Sequence, residues 1–537
     1  FRLKKQPDNE IKQKGRKSTD FISKDNVVET GKIKIDVCRK VCTKCGRVTI
    51  FNKCSFCGTA TKLQKICPRC NNLYEPFEER CSKCNIPLRT SAEAKFDIKH
   101  HVNSVLNSLN MQLPKKLKGI IGLTNEYKIP EPLEKGILRA KNNVLVYKTA
   151  EIRYDATDIP LTHFKPKEID TSVKTLKKLG YSEDINENPL KFDDQILELR
   201  VQDIILSDDC ANYFLKVANF LDDELELYYK MDRFYNISNR EDLIGHLVVG
   251  LAPHTSAGII GRIIGFTPAR SIYAHPYWHA AKRRNCDGDE DGLMLLLDPL
   301  LNFSRHYLPS RIGGRMDATL VIGTKIDPNE IDGEAHNVDT LYKYPLEFYK
   351  ATERFSPPSE IENIMKLVKS RLGTSDQYDH LGYNIPTENI NEGPTITAYK
   401  LYETMDEKFE AQLNLAKLLK PVNAKNVAEK VLTTHFNPDI LGNLRKFSVQ
   451  SFRCGKCNEK YRRPPLTNGG KCPKCGNKIL LTVNRGGIRK YIPRALKLVA
   501  DYSLDDYTSQ RMELIEEYVE SLTNNPRIKQ HKLSDFF

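Results

Sequence analysis

Long apolar runs are missing from this sequence of 537 residues. The nearest candidate, 293–301, is interrupted by Asp298 and Pro299, whereas a membrane-spanning helix needs roughly 18 or more apolar residues in a row. The first residues are basic and lack the apolar segment of a secretory signal. Low-complexity tracts are also missing, and 40% of the residues are hydrophobic, which argues against general disorder. These absences predict a soluble, cytoplasmic chain with no membrane contact.

The length and the charge distribution say more than the composition. A chain this long predicts about three to five modules, and because it begins with Phe1 rather than Met, we expect it to be part of a longer polypeptide. Its 83 basic and 69 acidic residues give a net charge of +14. Residues 1–91 hold 21 Lys or Arg against 9 acids, and residues 445–490 hold 13 against 1. Two basic regions on an otherwise acidic chain suit contact with a phosphate backbone, with a solvated surface as the alternative.

Cysteines coincide with both basic regions. Twelve of the 15 form six CxxC pairs: Cys42/Cys45, Cys54/Cys57, Cys67/Cys70, Cys81/Cys84, Cys454/Cys457 and Cys472/Cys475. Two CxxC turns joined by a short hairpin complete one four-cysteine zinc site. Disulfides are the alternative, but paired CxxC spacing without a secretion signal favours zinc. The sequence therefore predicts three structural Zn²⁺ sites, each closed and without an open coordination position for substrate.

Hydrophobic periodicity gives a coarse secondary structure. Apolar residues at helical spacing predict a helix within 96–109, and helical patterns recur in 397–434 and 494–523. Residues 144–147 and 151–154 predict a hairpin, followed by a turn-rich stretch at 155–160. Six glycines, at 245, 250, 258, 261, 265 and 288, predict close backbone approach rather than a plain amphipathic helix.

The segment 285–291, NCDGDED, is called the acidic loop here. Its carboxylates at 287, 289 and 291 alternate along the chain, so in an extended or looped backbone they can converge on one hard cation. Lys282, Arg283 and Arg284 precede it, and the strand-like LMLLL follows it. Acids that hold Mg²⁺ beside basic residues that hold phosphate form a plausible phosphoryl-transfer site.

Two other interpretations of this segment exist. The DxDxDG pattern also opens an EF-hand calcium loop, but Leu295 and Asp298 stand at its ninth and twelfth positions, where the motif requires other residues. A solvated acidic turn that caps a strand is the second. His275 and His279, four residues apart, could be metal ligands, but Pro276 and Trp278 beside them favour packing or nucleic-acid contact.

The acidic loop with its KRR prefix is part of a wider pattern. Together with GLAPHTSAGIIGRIIGFT, AHPYWHAAKRRN, EPLEKGILRA, RYDATDIPLTHFKP and YRRPPL, it closely resembles the large catalytic subunit of archaeal D-family DNA polymerase over nearly all of 38–490. The loop is also similar to the NxDxDxD loop of multisubunit RNA polymerases. The resemblance implies an α+β, multidomain fold with a double-psi β-barrel core, three zinc modules and helical insertions.

The resemblance also implies roles for single residues. Asp287 and Asp289 are expected to hold the catalytic Mg²⁺, with Asn285 in the same loop and Asp291 as a supporting acid. Lys282, Arg283 and Arg284 are expected to bind the triphosphate or the template backbone, with a solvated surface as an equal alternative. The implied reaction is DNA-directed DNA synthesis, in which dNMP passes from a dNTP to a primer 3′-hydroxyl.

The family implies partners and a domain order. Its large subunits are about twice this length, so this chain corresponds to the C-terminal half, and the N-terminal half is expected to supply a companion barrel with catalytic lysines. A small exonuclease subunit completes the heterodimer, at the archaeal nucleoid. The expected segments are 1–36 (basic linker or domain end), 37–91 (two zinc modules), 92–165 (helix and first part of the barrel), 166–240 (mixed helical insertion), 241–330 (barrel core with the acidic loop), 331–445 (helical), 446–485 (third zinc ribbon), 486–524 (helical) and 525–537 (tail).

The last eight residues fit the sliding-clamp peptide pattern QxxLxxFF. A short turn would place Leu533, Phe536 and Phe537 in one apolar pocket and Gln530 in a polar one. Clamp binding is therefore expected of the tail. A rival to the polymerase hypothesis is a non-catalytic zinc scaffold that binds nucleic acid and the clamp, and an RNA polymerase relative is a third alternative.

Overall fold

The chain folds as two compact units, Phe1–Ile396 and Thr397–Phe537, each with its own hydrophobic core. The computed structural model describes residues 21–23, 32–54, 56–114, 116–118, 129–146, 152–285, 288–303, 319–383 and 389–524. These residues mix helices and strands, which confirms the α+β class. No helix in these ranges is both long and apolar enough to cross a membrane.

The first part of the first unit is a small antiparallel sheet that carries the cysteines, followed by two helices. Its elements are β1 (Phe21–Ser23), β2 (Lys32–Cys42), β3 (Val48–Thr49), β4 (Thr61–Ile66), β5 (Leu73–Tyr74), β6 (Ser91–Asp97), α1 (Ile98–Leu109), β7 (Lys116–Lys118) and α2 (Leu133–Lys141). Strand β2 pairs with β3, β4 and β6, and β4 pairs with β5. The four CxxC pairs within residues 42–84 lie in the turns between these short strands.

Helix α1 confirms the helix predicted within 96–109. It begins after Asp97, whose side chain accepts a hydrogen bond from the His100 N–H at 2.9 Å, because aspartate is a strong N-cap. It ends at Asn110 in the left-handed conformation. Val102 and Val105 are among its buried residues, so the apolar stripe faces the core.

A β-barrel with helices packed on it fills the rest of the first unit. Its elements are β8 (Tyr154–Pro160), β9 (His163–Phe164), α3 (Val173–Lys178), β10 (Leu197–Glu198), β11 (Asp203–Ser207), α4 (Asp208–Asp223), β12 (Leu247–Leu251), β13 (Ala257–Thr267), β14 (Ser271–Ala274), α5 (Pro276–Ala281), β15 (Glu290–Leu295), α6 (Leu297–Asn302), β16 (Val321–Gly323), α7 (Leu346–Glu353) and α8 (Pro358–Met365). Short 3₁₀ segments lie at Pro166–Ile169, Arg240–Leu243, Gly333–Asn337, Val368–Arg371 and Ser375–Gln377, and a π-helical turn at Glu224–Tyr229 follows α4.

Six of these strands close on themselves. The order is β11-β14-β8-β15-β12-β13, and β13 pairs again with β11, while β16 adds to the outer side of β13. The β14–β8 and β11–β13 pairs are parallel and the other pairs within the ring are antiparallel. Closure removes the free edges that an open sheet would expose. The family resemblance predicted a barrel, which the hydrophobic pattern alone had not indicated.

Glycines make room for large side chains in the barrel wall, as the sequence predicted. A Cβ at Gly250 would lie 2.4 Å from the indole of Trp278, and one at Gly261 would lie 3.2 Å from it. Trp278, on α5, is fully buried, and its Nε1 donates to the Ile260 carbonyl at 3.1 Å. A Cβ at Gly265 would lie 2.5 Å from the carbonyl oxygen of Ile169. Any larger residue at these positions would displace packed neighbours.

The stretch 155–160, predicted to be turn-rich, is instead most of strand β8. Its polar residues look like turn residues, but Thr157 and Asp158 are buried, and Asp158 faces Lys282, which is 124 positions away in sequence. The turn of the hairpin predicted around 148–150 lies outside the described residues. Of the described residues in its two arms, 144–146 and 152–154, only Tyr154 is in a strand, as the first residue of β8. Within 166–240, expected to be a mixed helical insertion, β11 is a barrel strand and α4 packs on the barrel core.

The second unit is a helical bundle with a cysteine-bearing ribbon. Its elements are α9 (Ala398–Leu401), α10 (Met405–Leu418), α11 (Ala424–Lys430), a π-helical turn (Val431–Phe436), α12 (Asn437–Val449), β17 (Phe452–Cys454), β18 (Lys460–Tyr461), a 3₁₀ turn (Leu466–Asn468), β19 (Ile479–Leu480), α13 (Arg485–Arg489), α14 (Ile492–Asp501) and α15 (Asp506–Thr523). The ribbon order is β18-β17-β19. Gln450 joins its two ends, because its amide exchanges two 2.8 Å hydrogen bonds with the backbone of Val483. These helices agree with the helical patterns predicted for 397–434 and 494–523.

Candidate functional site

The acidic loop connects α5 to β15 at one end of the barrel. Cys286 and Asp287 lie outside the described residues, so the geometry rests on the remaining positions. Asn285 is exposed, and Gly288 has φ of +106° with open space around its Cα, a conformation that favours glycine. A residue with a side chain at position 288 would therefore strain the backbone directly before Asp289.

Asp289 is the carboxylate that the loop presents to solvent. Its side chain is 39% exposed, and its Oδ2 lies 3.2 Å from Nη1 of Arg284. Its backbone is fixed as well, since the Asp158 N–H donates to the Asp289 carbonyl oxygen at 2.9 Å. Asp289 therefore combines an accessible carboxylate with a held main chain, as a metal ligand requires.

Asp291 is in a different environment from Asp289. Its side chain is fully buried in β15. Oδ1 accepts from Nε of Arg284 at 3.1 Å, and Oδ2 forms an ion pair with Lys282. Both oxygens are thus engaged by protein cations, and the carboxylate is not open to an external ligand.

The three basic residues before the loop are not equivalent. Arg283 is exposed, with φ of +59°, and the side chain of Arg284 is 25% exposed. Lys282 has a fully buried side chain, with Nζ 3.0 and 3.1 Å from the two oxygens of Asp158. The ammonium of Lys282 is consequently closed to the phosphate group that the sequence predicted for it, because two internal carboxylates already surround it.

Asp158, on β8, is the residue of this site that sequence reasoning missed. Its side chain is fully buried, and besides Lys282 it faces Nδ1 of His279 at 3.3 Å. The available signal was its position inside the RYDATDIPLTHFKP string. Because that string was interpreted as a turn, Asp158 was not recognised as an aspartate in a buried strand, which needs a cationic partner.

Burial and the neighbouring charges shift the pKa values of these groups in opposite directions. Burial raises the pKa of the Asp291 carboxyl to about 7, although Lys282 lowers it in part. Burial acts in the same sense on Asp158, but the opposing effects, chiefly the charge of Lys282, outweigh it, so the pKa of Asp158 lies below its ordinary value. Burial, reinforced by the Lys282 charge, lowers the pKa of His279.

His275 and His279 are both fully buried and are bonded to the protein. Nδ1 of His275 accepts from the Tyr277 N–H at 3.1 Å and so caps α5, and burial lowers its pKa to about 3. Nε2 of His279 lies 3.1 Å from the Ile159 carbonyl oxygen, to which it donates. The geometry agrees with the packing role that the sequence favoured for this pair.

The EF-hand alternative fails on the geometry after the loop. Positions four to nine of the motif, Glu290–Leu295, form the barrel strand β15, which pairs with β8 and β12 instead of closing a loop around an ion. Asp298, the twelfth position of the motif, is buried on α6, where its Oδ1 accepts from Nδ2 of Asn302 at 2.8 Å. No calcium loop can therefore be closed through Asp298.

Three groups of four cysteines meet the geometry of zinc sites, and they are the only groups of three or more potential ligands within the described ranges. In each group the four Sγ atoms lie within 4.8 Å of one another: Cys42, Cys45, Cys54 and Cys57; Cys67, Cys70, Cys81 and Cys84; Cys454, Cys457, Cys472 and Cys475. Sulfur–sulfur distances of 3.3–3.7 Å are close to the edge of a ZnS₄ tetrahedron with bonds of about 2.3 Å, and all twelve thiols are free. The predicted pairing of six CxxC turns is confirmed, and the clusters fit structural zinc.

A tyrosine hydroxyl supports one sulfur in two of these clusters. The Tyr74 hydroxyl lies 3.0 Å from Sγ of Cys81, and the Tyr461 hydroxyl lies 3.0 Å from Sγ of Cys472. Burial would raise the pKa of Cys472, but the hydrogen bond from Tyr461 and further donors outweigh it and lower that pKa to about 6. Each tyrosine follows its CxxC turn on a short strand and stabilises the thiolate form that binds metal.

We expect Tyr461→Phe to weaken zinc binding in the third cluster by about 10- to 100-fold, because the thiolate of Cys472 loses a hydrogen-bond donor. Competition with a chromogenic chelator measures the zinc released from the intact chain. Tyr507→Phe, at a residue 69% exposed on α15, is the matched control. Equal zinc release from both variants would show that the hydroxyl has no such role.

The predicted clamp-binding residues, Gln530, Leu533, Phe536 and Phe537, lie outside the described residues. The exposed basic side chains of the ribbon can be located. They are Arg453, Lys456, Lys460, Arg462, Arg463, Lys471, Lys474 and Lys478. The basic excess of 445–490 thus lies at the surface of the cysteine module, as the sequence predicted.

Comparison with known proteins identifies relatives of the whole chain. A family described as "DNA polymerase II large subunit DP2, catalytic domain" matches residues 110–408, more than half of the chain, and the central domain of the same subunit matches residues 9–75. The protein named DNA polymerase II large subunit from Methanocella arvoryzae is 49% identical over 519 residues, which are 96% of this chain and 45% of that protein. The one from Pyrococcus furiosus is 50% identical over 92% of this chain and 39% of its own length. The chain spans less than half the length of these curated relatives.

Proposed function

Since this chain belongs to the family of the DNA polymerase II large subunit, we propose that it carries the nucleotidyl-transfer site of a DNA-directed DNA polymerase. The reaction joins dNMP from a dNTP to a primer 3′-hydroxyl and releases pyrophosphate. One observation carries the proposal: Asp289 presents a partly exposed carboxylate on a loop anchored to the barrel, with the Arg284 guanidinium beside it. The loop lies within the part of the chain that the catalytic-domain family matches.

We propose that Mg²⁺ is the working metal and that Asp287 and Asp289 hold it, with Asn285 in the same loop. Carboxylate and amide oxygens are donors that suit this hard cation, and the side chains of Asn285 and Asp289 are open to solvent. When bound, Mg²⁺ would lower the pKa of the primer hydroxyl and stabilise charge at the α-phosphate. Asp291, which is buried, supports the loop from inside in this proposal.

Arg283 and Arg284 are the proposed contacts to the triphosphate or the template backbone. Arg283 is exposed, Arg284 is partly exposed and lies beside Asp289, and a guanidinium suits the geometry of a phosphate. Arg284 lies against Asp289 and Asp291, so it is held at the edge of the site. In this proposal Lys282 acts from inside the protein and does not bind phosphate.

The double-psi topology is also part of the proposal. Six closed strands with both parallel and antiparallel pairs support it. We propose further that the chain is the C-terminal half of the large subunit, and that the N-terminal half supplies the companion barrel and its catalytic lysines. The small exonuclease subunit would complete the heterodimer, and a polymerase of this kind would work in the cytoplasm, at the archaeal nucleoid, during replication.

The zinc modules are proposed as platforms that hold primer-template DNA. Exposed Lys and Arg around the ribbon can neutralise phosphates, and closed cysteine sites fix the backbone that carries them. Binding of this kind weakens steeply with salt. The same observation would suit the non-catalytic zinc scaffold, so DNA binding alone does not separate the two functions.

The C-terminal tail is proposed to bind the sliding clamp. Replacing Phe536 and Phe537 by alanine should remove the apolar anchors of the QxxLxxFF pattern, so clamp-dependent processivity should fall while synthesis without the clamp stays unchanged. Product lengths with and without the clamp measure both. An unchanged affinity of the variant for the clamp would contradict this assignment.

Primer extension separates the polymerase from its rivals. This chain would be assayed alone and together with the N-terminal half and the small subunit, with dNTPs and then NTPs, over a range of Mg²⁺ concentrations. We expect Mg²⁺-dependent synthesis in the complete mixture with a preference for dNTPs. A preference for NTPs would favour an RNA polymerase relative, and DNA binding without synthesis would favour the zinc scaffold.

A further inference from the structure

Beneath the acidic loop lies a fully buried group of charged side chains, here called the Lys282 cluster: Asp158, His279, Lys282 and Asp291. The ammonium of Lys282 lies between two carboxylates, 3.0 and 3.1 Å from the oxygens of Asp158 and in an ion pair with Oδ2 of Asp291. Its Nζ is also 4.1 Å from the centroid of the Trp278 ring. Three elements, β8, α5 and β15, contribute to the cluster.

A buried lysine is rare because its charge loses water, and it is tolerated when its partners are close and fixed. In the cluster the partners come from opposite strands of one antiparallel pair, β8 and β15, in which Ala156 is the neighbour of Asp291. The cluster therefore ties the two strands and the end of α5 at the point where the acidic loop leaves them. A hydrophobic side chain in place of Lys282 would leave the Asp158 carboxylate and Oδ2 of Asp291 without the ammonium that lies between them, while Arg284 would still pair with Oδ1 of Asp291.

The cluster reaches Asp289 by two routes. The first is the backbone: the residue that binds Lys282, Asp158, also donates its N–H to the Asp289 carbonyl at 2.9 Å. The second is through side chains: Lys282 holds Oδ2 of Asp291, Arg284 holds Oδ1 of Asp291, and Arg284 lies 3.2 Å from Oδ2 of Asp289. Through these contacts the buried ammonium of Lys282 is connected to both the main chain and the carboxylate of Asp289.

We propose that Lys282 is a positioning residue that, through Asp158 and Asp291, sets the location of the Asp289 carboxylate for metal binding. The inference rests on the proposed function, since it assigns Asp289 to a divalent metal. It gives Asp291 a role as an anchor for Lys282 and Arg284 instead of a role as a ligand. Loss of Lys282 should therefore weaken metal binding at Asp289, to which Lys282 is connected through Asp158, Asp291 and Arg284.

A second buried lysine in the same unit provides a matched control. Lys135, on α2, is 3% exposed, and its Nζ lies 2.8 Å from Glu224 Oε1 and 2.7 Å from Asn302 Oδ1. None of its described polar partners belongs to the acidic loop. Lys135→Met removes a buried, paired ammonium of the same kind, so it reproduces the cost to folding without touching the anchor of Asp289.

The test is a titration of the complete large subunit, saturated with zinc, with Mn²⁺ in place of Mg²⁺. Free Mn²⁺ is followed by electron paramagnetic resonance, and the site is defined as the binding lost in Asp287→Ala with Asp289→Ala. We expect Lys282→Met and Asp291→Asn to raise the Kd of this site by about tenfold or more, as the loss of a group that orients a ligand does. Asp291→Asn keeps the size of the side chain and so guards against misfolding.

Lys135→Met should lower the thermal unfolding temperature and leave the Kd for Mn²⁺ at the wild-type value. Primer extension by the complete enzyme should show a raised Mg²⁺ half-saturation in the Lys282 variant at unchanged affinity for DNA. Equal Mn²⁺ binding by wild type, Lys282→Met and Asp291→Asn would overturn the positioning role, and so would an equal loss in Lys135→Met. If the double aspartate variant binds Mn²⁺ like wild type, the metal assignment of the proposed function fails first.

Discussion

Alanine in place of both Asp287 and Asp289 is expected to reduce primer extension by the complete enzyme by at least about a thousandfold. The reason is that the variant loses the carboxylates proposed to hold the metal that stabilises charge in phosphoryl transfer. Zinc content and DNA affinity should stay near wild type, because the substitutions leave the twelve cysteines and the basic residues of 445–490 unchanged. Single-turnover extension on a defined primer-template measures the effect.

Glu290→Ala is the matched control for this prediction. Glu290 is the exposed acid directly after Asp289, and its backbone carbonyl, which lies 3.5 Å from Arg284, survives the substitution. The control should synthesise DNA near the wild-type rate, which would separate a requirement for two particular carboxylates from a general requirement for negative charge. Extension of a primer by the double aspartate variant would remove the catalytic assignment.

Serine in place of Cys454 and Cys472 is expected to unfold the third cysteine ribbon. Within residues 451–483 these two cysteines are the only buried residues, so the ribbon has no hydrophobic core that could hold it without metal. Zinc binding of this kind contributes about 10–16 kcal/mol to the folding of small modules. The variant should bind one zinc fewer per chain than wild type, and limited proteolysis should cut within the ribbon.

The helices of the second unit should survive this change, since their core is separate from the ribbon. Leu432, Met512 and Val519, all fully buried, belong to that core. Lys456→Ser, in the turn between Cys454 and Cys457, is the control, because it changes an exposed residue and leaves the four ligands intact. A ribbon that resists proteolysis after the loss of both cysteines would show that zinc is not what stabilises it.

The cysteine clusters could be predicted from the sequence because their information is local. A CxxC turn fixes two ligands within four residues, and gaps of 8 to 14 residues bring the next pair onto the same ion. The structure places the same twelve residues together in the same three groups. The two tyrosine hydroxyls beside Cys81 and Cys472 could not be predicted from the sequence, since a lone Tyr near a CxxC turn has no distinctive pattern.

The acidic loop was recognised, but the roles of its neighbours were not. Lys282, Arg283 and Arg284 are consecutive, and consecutive basic residues suggest one shared surface. The chain turns at Arg283, so Lys282 faces inward at the end of α5 while Arg283 is exposed. Its partner Asp158 is 124 positions away in sequence, a separation that no local pattern can encode.

The barrel was expected only from the family resemblance. Strand β8 contains Asp155, Thr157 and Asp158, residues that are common in turns, and its Asp158 is buried only because Lys282 neutralises it. Strand β11 closes the ring through pairs with β13 and β14, which come more than 50 residues later. Helix α1 could be predicted because helical spacing is visible in the sequence itself, and the glycines predicted close packing at Gly250, Gly261 and Gly265 without identifying Trp278 as the neighbour of the first two.

The central claim is that the acidic loop holds the catalytic divalent metal. Metal-directed cleavage is its most direct test. Fe²⁺ in place of Mg²⁺, with ascorbate and peroxide, produces radicals that cut the backbone close to the bound ion. The account predicts a cut near Asp289 in the complete large subunit, suppressed by excess Mg²⁺ and lost when Asp287 and Asp289 are both alanine. Mg²⁺ does not compete for thiolates, so cuts from iron in the cysteine clusters would persist. Cleavage confined to the cysteine clusters, with none at the acidic loop, would contradict the account.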